Sequence, residues 1–303
     1  MMKKFQGAIT ALITPMKENG DVDYDAFRRL IQFQIAEGID GLVPLGTTGE
    51  TPTLDDDEEE LLIKTAVDEV KGRIPLIIGA GSNDTRHMKG YVKRAKDLGA
   101  DAALVVTPYY NKPNDDGLLR HFEAASSVGI PIIVYNIASR TGRNIPASLM
   151  EKIAEMPNIA GVKESSGDLA QMADMINLIG MKRKNTDNPF WVISGDDGFA
   201  LPLMALGGEG VISVISNLVP ARVKALTKAC LEENFVEARK IHFELAPLVK
   251  AAFVETNPAP IKLAMSWAGL PGGPTRLPLG SLSQSSVSVL KAALKSMGLK
   301  SGE

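Results

Sequence analysis

The chain of 303 residues has a single cysteine, Cys230, and only three histidines, His87, His121 and His242. One cysteine excludes an internal disulfide and fits a reducing compartment. The histidines share no ligand-like spacing, and no cysteine–histidine or serine–histidine–aspartate constellation accompanies them. No metal site is expected. Excess charge is scarce too: the net charge is −3 at pH 7, which argues against a nucleic-acid partner. No apolar run approaches transmembrane length. The opening MMKKFQGAITALITP holds Gln6, Gly7, Thr10 and Thr14 and runs into Pro15. It is too short and too polar for a secretory signal and reads as a first strand. On these absences a soluble cytoplasmic protein is expected. Also missing is a glycine-rich phosphate turn after the first strand, where the chain has TPMKENGD.

What is present is a large apolar content, 45% of residues, arranged in short runs at a regular interval. They are GAITALITP (7–15), GLVPLGTTGE (41–50), PLIIGAGSN (75–83), AALVVTPYY (102–110), PIIVYN (131–136), IAGVKESS (159–166), WVISGDD (191–197) and GVISVISN (210–217). Continuous rather than alternating apolar runs indicate parallel strands covered on both faces. Helix-period segments lie between them. The clearest covers 24–37, with Phe27, Leu30, Ile31 and Ile35 on one face, Asp23 as its cap and Gly38 as its stop. A second is expected over 53–70, where DDDEEE (55–60) complements the helix dipole. Pro146 and Pro220 occupy first-turn positions. Eight β–α repeats predict an α/β fold, a closed (β/α)8 TIM barrel over residues 1–226. After that the pattern changes to three helices, 235–255, 259–270 and 283–298, with no strand between. Residues 227–303 are expected to form a C-terminal helical subdomain.

Barrel enzymes of this type build their sites at the C-terminal strand ends. The unusual polar residues of this chain fall there. Thr47 and Thr48 follow strand two, and Tyr109 and Tyr110 follow strand four. Tyr135 ends strand five, with Arg140 five residues on. Lys163 ends strand six, and Ser194 to Asp197 end strand seven. A lysine is almost never buried without reason. Lys163 could anchor an anion, form a salt bridge with Glu164, or attack a carbonyl as a Schiff-base nucleophile. The last role needs a neutral amine. At the reference pKa of about 10.4, roughly one lysine in 2,500 is neutral at pH 7; burial would raise that share. Tyr135, one strand away, is a plausible general acid–base. LGTTGE (45–50) offers two hydroxyls and backbone N–H groups but no Walker lysine, so a small carboxylate suits it better than a phosphate. Arg140 could clamp a carboxylate bidentately or simply be a surface arginine. Asp196 and Asp197 could bind Mg²⁺, but adjacent aspartates more often cap a following helix, and they are read as caps.

GTTGE, TPYYNKP, YNIASRTG, GVKESSGD, SGDD and GVISV occur in order at consecutive strand ends. Their combination resembles the pyruvate-dependent class I aldolase family that includes dihydrodipicolinate synthase and N-acetylneuraminate lyase. The resemblance extends to ETNPAPIK (255–262) and RLPL (276–279). It implies that Lys163 is the Schiff-base lysine and Tyr135 the proton-transfer residue. Thr47 would relay protons, Thr48 hold the pyruvate carboxylate, and Tyr110 complete the relay in a neighbouring subunit. Gly195 and Ile212 would line the pocket through their backbone. The substrates implied are pyruvate and L-aspartate semialdehyde, the latter bound by Arg140, with no cofactor and a homotetramer built as a dimer of dimers. A sugar-acid or keto-acid aldolase such as an N-acetylneuraminate lyase-like enzyme is the alternative, and a non-catalytic ligand-binding barrel a more distant one. Two departures stand out: Ala138 replaces a common proline, and KESSGD replaces the more usual KEATG. His87, Asp56 and Glu59 stand where lysine-inhibited members commonly differ, so weak or absent lysine feedback is expected.

Overall fold

A computed structural model describes residues 4–184 and 186–302. The outermost residues of the two expected segments, 1–3 and 303, lie outside it. Eight strands run β1 (Gly7–Ala11), β2 (Gly41–Val43), β3 (Ile77–Gly79), β4 (Ala102–Val106), β5 (Ile132–Asn136), β6 (Ile159–Glu164), β7 (Trp191–Ser194) and β8 (Gly210–Ser213). Each lies inside one of the eight apolar runs. All pair in parallel, in the order β2-β1-β8-β7-β6-β5-β4-β3. The ring closes between the outer members: Leu42 bridges Leu76 in parallel, and Gly79 N donates to Pro44 O at 3.0 Å. Gly79 makes that seam possible, because a Cβ there would collide with the Leu45 carbonyl. Gly79 and Gly81 in the third run thus serve close strand approach.

The helices are α1 (Tyr24–Ala36), α2 (Asp56–Val70), α3 (Thr85–Asp97), α4 (Asp115–Ser126), α5 (Ala138–Thr141), α6 (Ala147–Ala154), α7 (Leu169–Met175), α8 (Met181–Arg183), α9 (Ala200–Ala205), α10 (Pro220–Leu231), α11 (Phe235–Ala252), α12 (Ala259–Trp267) and α13 (Gln284–Ser296). Local chemistry sets their ends. Asp23 accepts from Ala26 N at 2.9 Å, and Gly38 takes φ +80° just past α1. The acidic run starts α2 with a reciprocal capping box: Glu58 N donates to Asp55 Oδ1, and Asp55 N to Glu58 Oε2. The helix begins at Asp56 rather than at 53, because Thr51–Thr53 forms a 3₁₀ turn first. Pro220 is the first residue of α10 as expected, whereas Pro146 is the cap of α6.

The strands are shorter than the apolar runs. The second run stops pairing at Val43, and its GTTGE portion folds into a 3₁₀ turn, Thr47–Gly49. The barrel is filled by an inner layer in which Phe5, Ile9, Leu104, Ile133, Trp191 and Ile212 pack together. A larger outer layer fills the space between strands and helices and continues into α11, α12 and α13. Position 226 falls inside α10, which packs against β1 and α11 alike. Among the described residues, no helix is long and apolar enough to cross a membrane.

Candidate active site

Tyr135 and Lys163 are register partners on β5 and β6. A bulge decides which way the lysine points. Ala160 packs in the barrel interior, while Val162 packs in the layer under the helices. Between them the register slips by one: Ile132 faces Ile159, but Ile133 faces Gly161. Strict alternation from Ala160 would send Lys163 outward. The extra residue turns it inward.

The result is a buried lysine, 7% exposed, with its Nζ 4.1 Å from the centre of the Tyr135 ring. Glu164 does not pair with it. That carboxylate points to the other face, where it accepts from Asn136 Nδ2 at 3.0 Å and Ser166 N at 2.7 Å. Desolvation pulls the Lys163 amine down to about 7; the buried Asp197 carboxyl opposes this and Arg140 reinforces it. The salt-bridge reading therefore fails, and the site holds an amine that is substantially neutral at neutral pH. Gly195 leaves room for it. A Cβ there would collide with Ser165 Oγ and come within 2.8 Å of Lys163 Cε.

Tyr135 is buried as well, and desolvation pushes its phenol up to about 12. Arg140, Ser165 and Thr47 pull it down, and Asp196 adds to the rise. Thr47 opens the 3₁₀ turn after β2, which presents two hydroxyls at the barrel mouth. Thr48 is buried and its Oγ1 accepts from Asn257 Nδ2 at 2.9 Å. Glu50 ends that turn in the left-handed region at φ +58° and sends its buried carboxylate to Lys262 on α12, 2.6 Å away. The amine of Lys262 also donates to Thr14 O at 2.9 Å. Arg276 N donates to the second Glu50 oxygen at 2.9 Å. The C-terminal segment therefore holds the two-threonine turn from behind.

A cavity of about 440 Å³ opens at this rim, with Thr47, Tyr109, Tyr135 and Arg140 in its wall. Of these, Tyr135 has its ring against the Lys163 amine. Arg140 sits on the short α5, exposed into the cavity, and its guanidinium reaches Asn257 O at 3.5 Å. It is thus no ordinary surface arginine. Ile212 is buried in the inner layer, paired with Ile9. Tyr110 stands apart: it is 90% exposed, with φ +73°. Asp196 caps the turn into α9 by accepting from Gly198 N at 2.7 Å. Asp197 does not cap; it is buried and accepts from Val214 N at 2.9 Å, with desolvation raising its pKa to about 6.

Asn257, Glu50, Lys262 and Ser165 escaped the sequence reading as site residues, and Asp197 was placed at the rim but taken for a helix cap. Lys262 carried the best available signal, a lone charge among Pro260, Ile261, Ala264 and Met265 on one helix, all of them buried.

Three comparisons bear on this geometry. The model of the dihydrodipicolinate synthetase family matches residues 4–297. The 4-hydroxy-tetrahydrodipicolinate synthase of Protochlamydia amoebophila is 49% identical over 280 residues, covering 92% of both chains. The crystal structure of dihydrodipicolinate synthase from Aquifex aeolicus superposes with a TM-score of 0.92 at 44% identity, over 98% of this chain and 99% of that one. The chloride-inhibited dihydrodipicolinate synthase of Acinetobacter baumannii, solved in complex with pyruvate, gives 0.91 at 37% identity, over 98% and 100%.

Proposed function

The chain belongs to the dihydrodipicolinate synthetase family, and on that premise we propose how its residues divide the work. It is a class I aldolase-type lyase that condenses pyruvate with L-aspartate semialdehyde to 4-hydroxy-tetrahydrodipicolinate, on the route to diaminopimelate and lysine. The observation that carries the division of roles is the Lys163 amine, buried without a carboxylate partner and held against the Tyr135 ring.

Neutral Lys163 attacks the C2 carbonyl of pyruvate. The carbinolamine oxygen takes up a proton and leaves as water, giving an iminium. The iminium draws electrons from C3, so loss of one C3 proton yields an enamine. Tyr135 carries protons to and from these centres, and Thr47 relays them toward solvent. Thr48 and the backbone N–H groups of its turn hold the pyruvate carboxylate. The enamine carbon attacks the aldehyde carbon of the second substrate, and the new alkoxide is protonated. The acceptor's own amine then displaces Lys163 from C2, closing the ring and restoring the enzyme. Arg140 binds the acceptor's carboxylate. Gly195 and Ile212 shape the pocket around the lysine without supplying a functional side chain.

Tyr110 supports a multimeric enzyme. A bulky residue in the left-handed region costs about 1–3 kcal/mol, and this one is left 90% exposed. As the third member of the proton relay it acts in an adjoining subunit, and the assembly we propose is a homotetramer of two dimers in the cytoplasm. Sedimentation of the purified protein tests the assembly. A coupled assay tests the chemistry: pyruvate and L-aspartate semialdehyde are supplied, and NADPH use by a downstream reductase is read. Turnover that disappears in Lys163→Ala supports both acceptor and nucleophile. No turnover in a folded tetramer points to a sugar-acid aldolase instead.

A further inference from the structure

One hydroxyl beside Lys163 has no assigned task. Ser165 lies two residues beyond the lysine, where β6 has just ended, and its N–H donates to Asn136 O at 2.8 Å. That bond ties the residue back to β5, directly after Tyr135. Its Oγ is buried and forms no well-formed hydrogen bond. A buried hydroxyl without a partner costs about 1–3 kcal/mol, so an orphan of this kind at a reacting centre needs a reason. Its surroundings supply one. A Cβ added to Gly195 would meet Ser165 Oγ and the Lys163 side chain together, so all three share one small volume. The Tyr135 hydroxyl faces the same Oγ, and the serine makes the phenol easier to ionise.

We propose that Ser165 is a positioning residue for the proton-transfer step: its hydroxyl donates to the Tyr135 oxygen whenever that phenol has given up its proton. In the resting site the neutral phenol oxygen is a weak acceptor for this hydroxyl, and once it carries charge it becomes a strong one, so the contact tightens during the reaction. A preorganised donor aimed at transient charge acts more strongly than one that must first break another bond. The proposal rests on the Schiff-base reading above and adds one group to it. Thr47 approaches the same oxygen from the β2 rim, and Arg140 contributes from α5. The charge that opposes ionisation is that of Asp196 at the end of β7; the buried Asp197 carboxyl faces Lys163 instead.

The test is exchange of the C3 protons of pyruvate in deuterated water, with no aldehyde present, read by proton NMR as a function of pH. Ser165→Ala is expected to slow exchange about tenfold at neutral pH and move its pH midpoint upward by about one unit. Ser165→Thr, which keeps the hydroxyl, is expected to stay within about threefold of wild type. Borohydride trapping with pyruvate runs in parallel and reports the adduct on Lys163. Equal exchange in wild type and Ser165→Ala overturns the proposal, as does an equal loss in the alanine and threonine variants, which signifies packing alone. Absence of any adduct in the wild type overturns the Schiff-base reading itself, and this inference with it.

Discussion

Two lysines are buried at the same rim of the barrel, and they have opposite fates. Lys262 is 1% exposed and fully engaged: its amine meets Glu50 Oε1 at 2.6 Å and Thr14 O at 2.9 Å. Lys163 is nearly as buried, yet among the described residues its Nζ has no ion pair and rests on the Tyr135 ring. Desolvation lowers both amines from the usual lysine value. At Lys262 the Glu50 carboxylate pulls the other way by charge and by hydrogen bond. At Lys163 only Asp197 opposes, and the amine settles near 7. Burial alone therefore does not make a nucleophile. Burial without a hydrogen-bonded counter-charge is what lets the Lys163 amine lose its proton near neutral pH, as the proposed role requires.

The two regions are also coupled. The Glu50–Lys262 pair anchors the turn that carries Thr47 and Thr48, and Asn257 from the same C-terminal stretch holds Thr48. In the proposed division of roles one buried lysine performs the chemistry, while the other holds the turn that carries Thr47 and Thr48.

The largest effect that separates them is expected from Lys163→Met. Turnover and adduct formation are lost, while stability rises. The unfolded lysine titrates near 10.5 and the folded one near 7. Below pH 7 both are protonated and the buried cation carries its full cost. From pH 7 to 10.5 the unfolded chain holds a proton that the folded chain lacks, so wild-type stability climbs with pH. Denaturant unfolding should show the methionine variant about 2–4 kcal/mol more stable at neutral pH, an advantage that shrinks as pH rises. A variant less stable than wild type at pH 7 would break the contrast.

Next in size, Lys262→Met should cost about 3–5 kcal/mol, because Glu50 is left buried and unpaired. Adding Glu50→Gln should return part of that loss, read by the same unfolding curves. A single variant as stable as wild type would make the pair a bystander. A smaller and purely kinetic effect belongs to Arg140→Ala. It should lower kcat/KM for the aldehyde about 10- to 100-fold and lower pyruvate trapping far less, since the arginine only assists the lowered pKa of Lys163. The smallest response concerns free lysine. Arg94 already engages both Asp56 and Glu59, and His87 offers no carboxylate. Millimolar lysine should barely change the rate, and inhibition below 1 mM, on the order of a K of 10³ M⁻¹, would contradict the reading.

The barrel was legible because its strands are buried on both faces and read as unbroken apolar runs. Strand ends were less so. In GTTGE the hydroxyls and glycines favour tight turns, so pairing stopped at Val43 while the run continued. Lys163, Tyr135, Thr47 and Arg140 were recognisable from their place at strand ends, and the structure brings them to one rim. What decides the chemistry was hidden in two ways. The bulge at β6 that aims Lys163 inward is a register property between strands, invisible in either strand alone. The Glu50–Lys262 pair joins residues 212 positions apart, and each charge separately looks like an ordinary surface group. Tyr110 was recognisable by motif, but nothing in the sequence signals its 90% exposure or its left-handed backbone.

The central claim is that Lys163 reacts because it is buried without a hydrogen-bonded counter-charge. The most direct test is the pH dependence of its modification: pyruvate with cyanoborohydride, peptide mapping of the adduct, and rates from pH 5.5 to 9. The account predicts a single adduct on Lys163, with a rate that rises to a plateau through a midpoint near 7. A rate still climbing at pH 9, as for a solvated lysine near 10.4, or an adduct on Lys262, would contradict it.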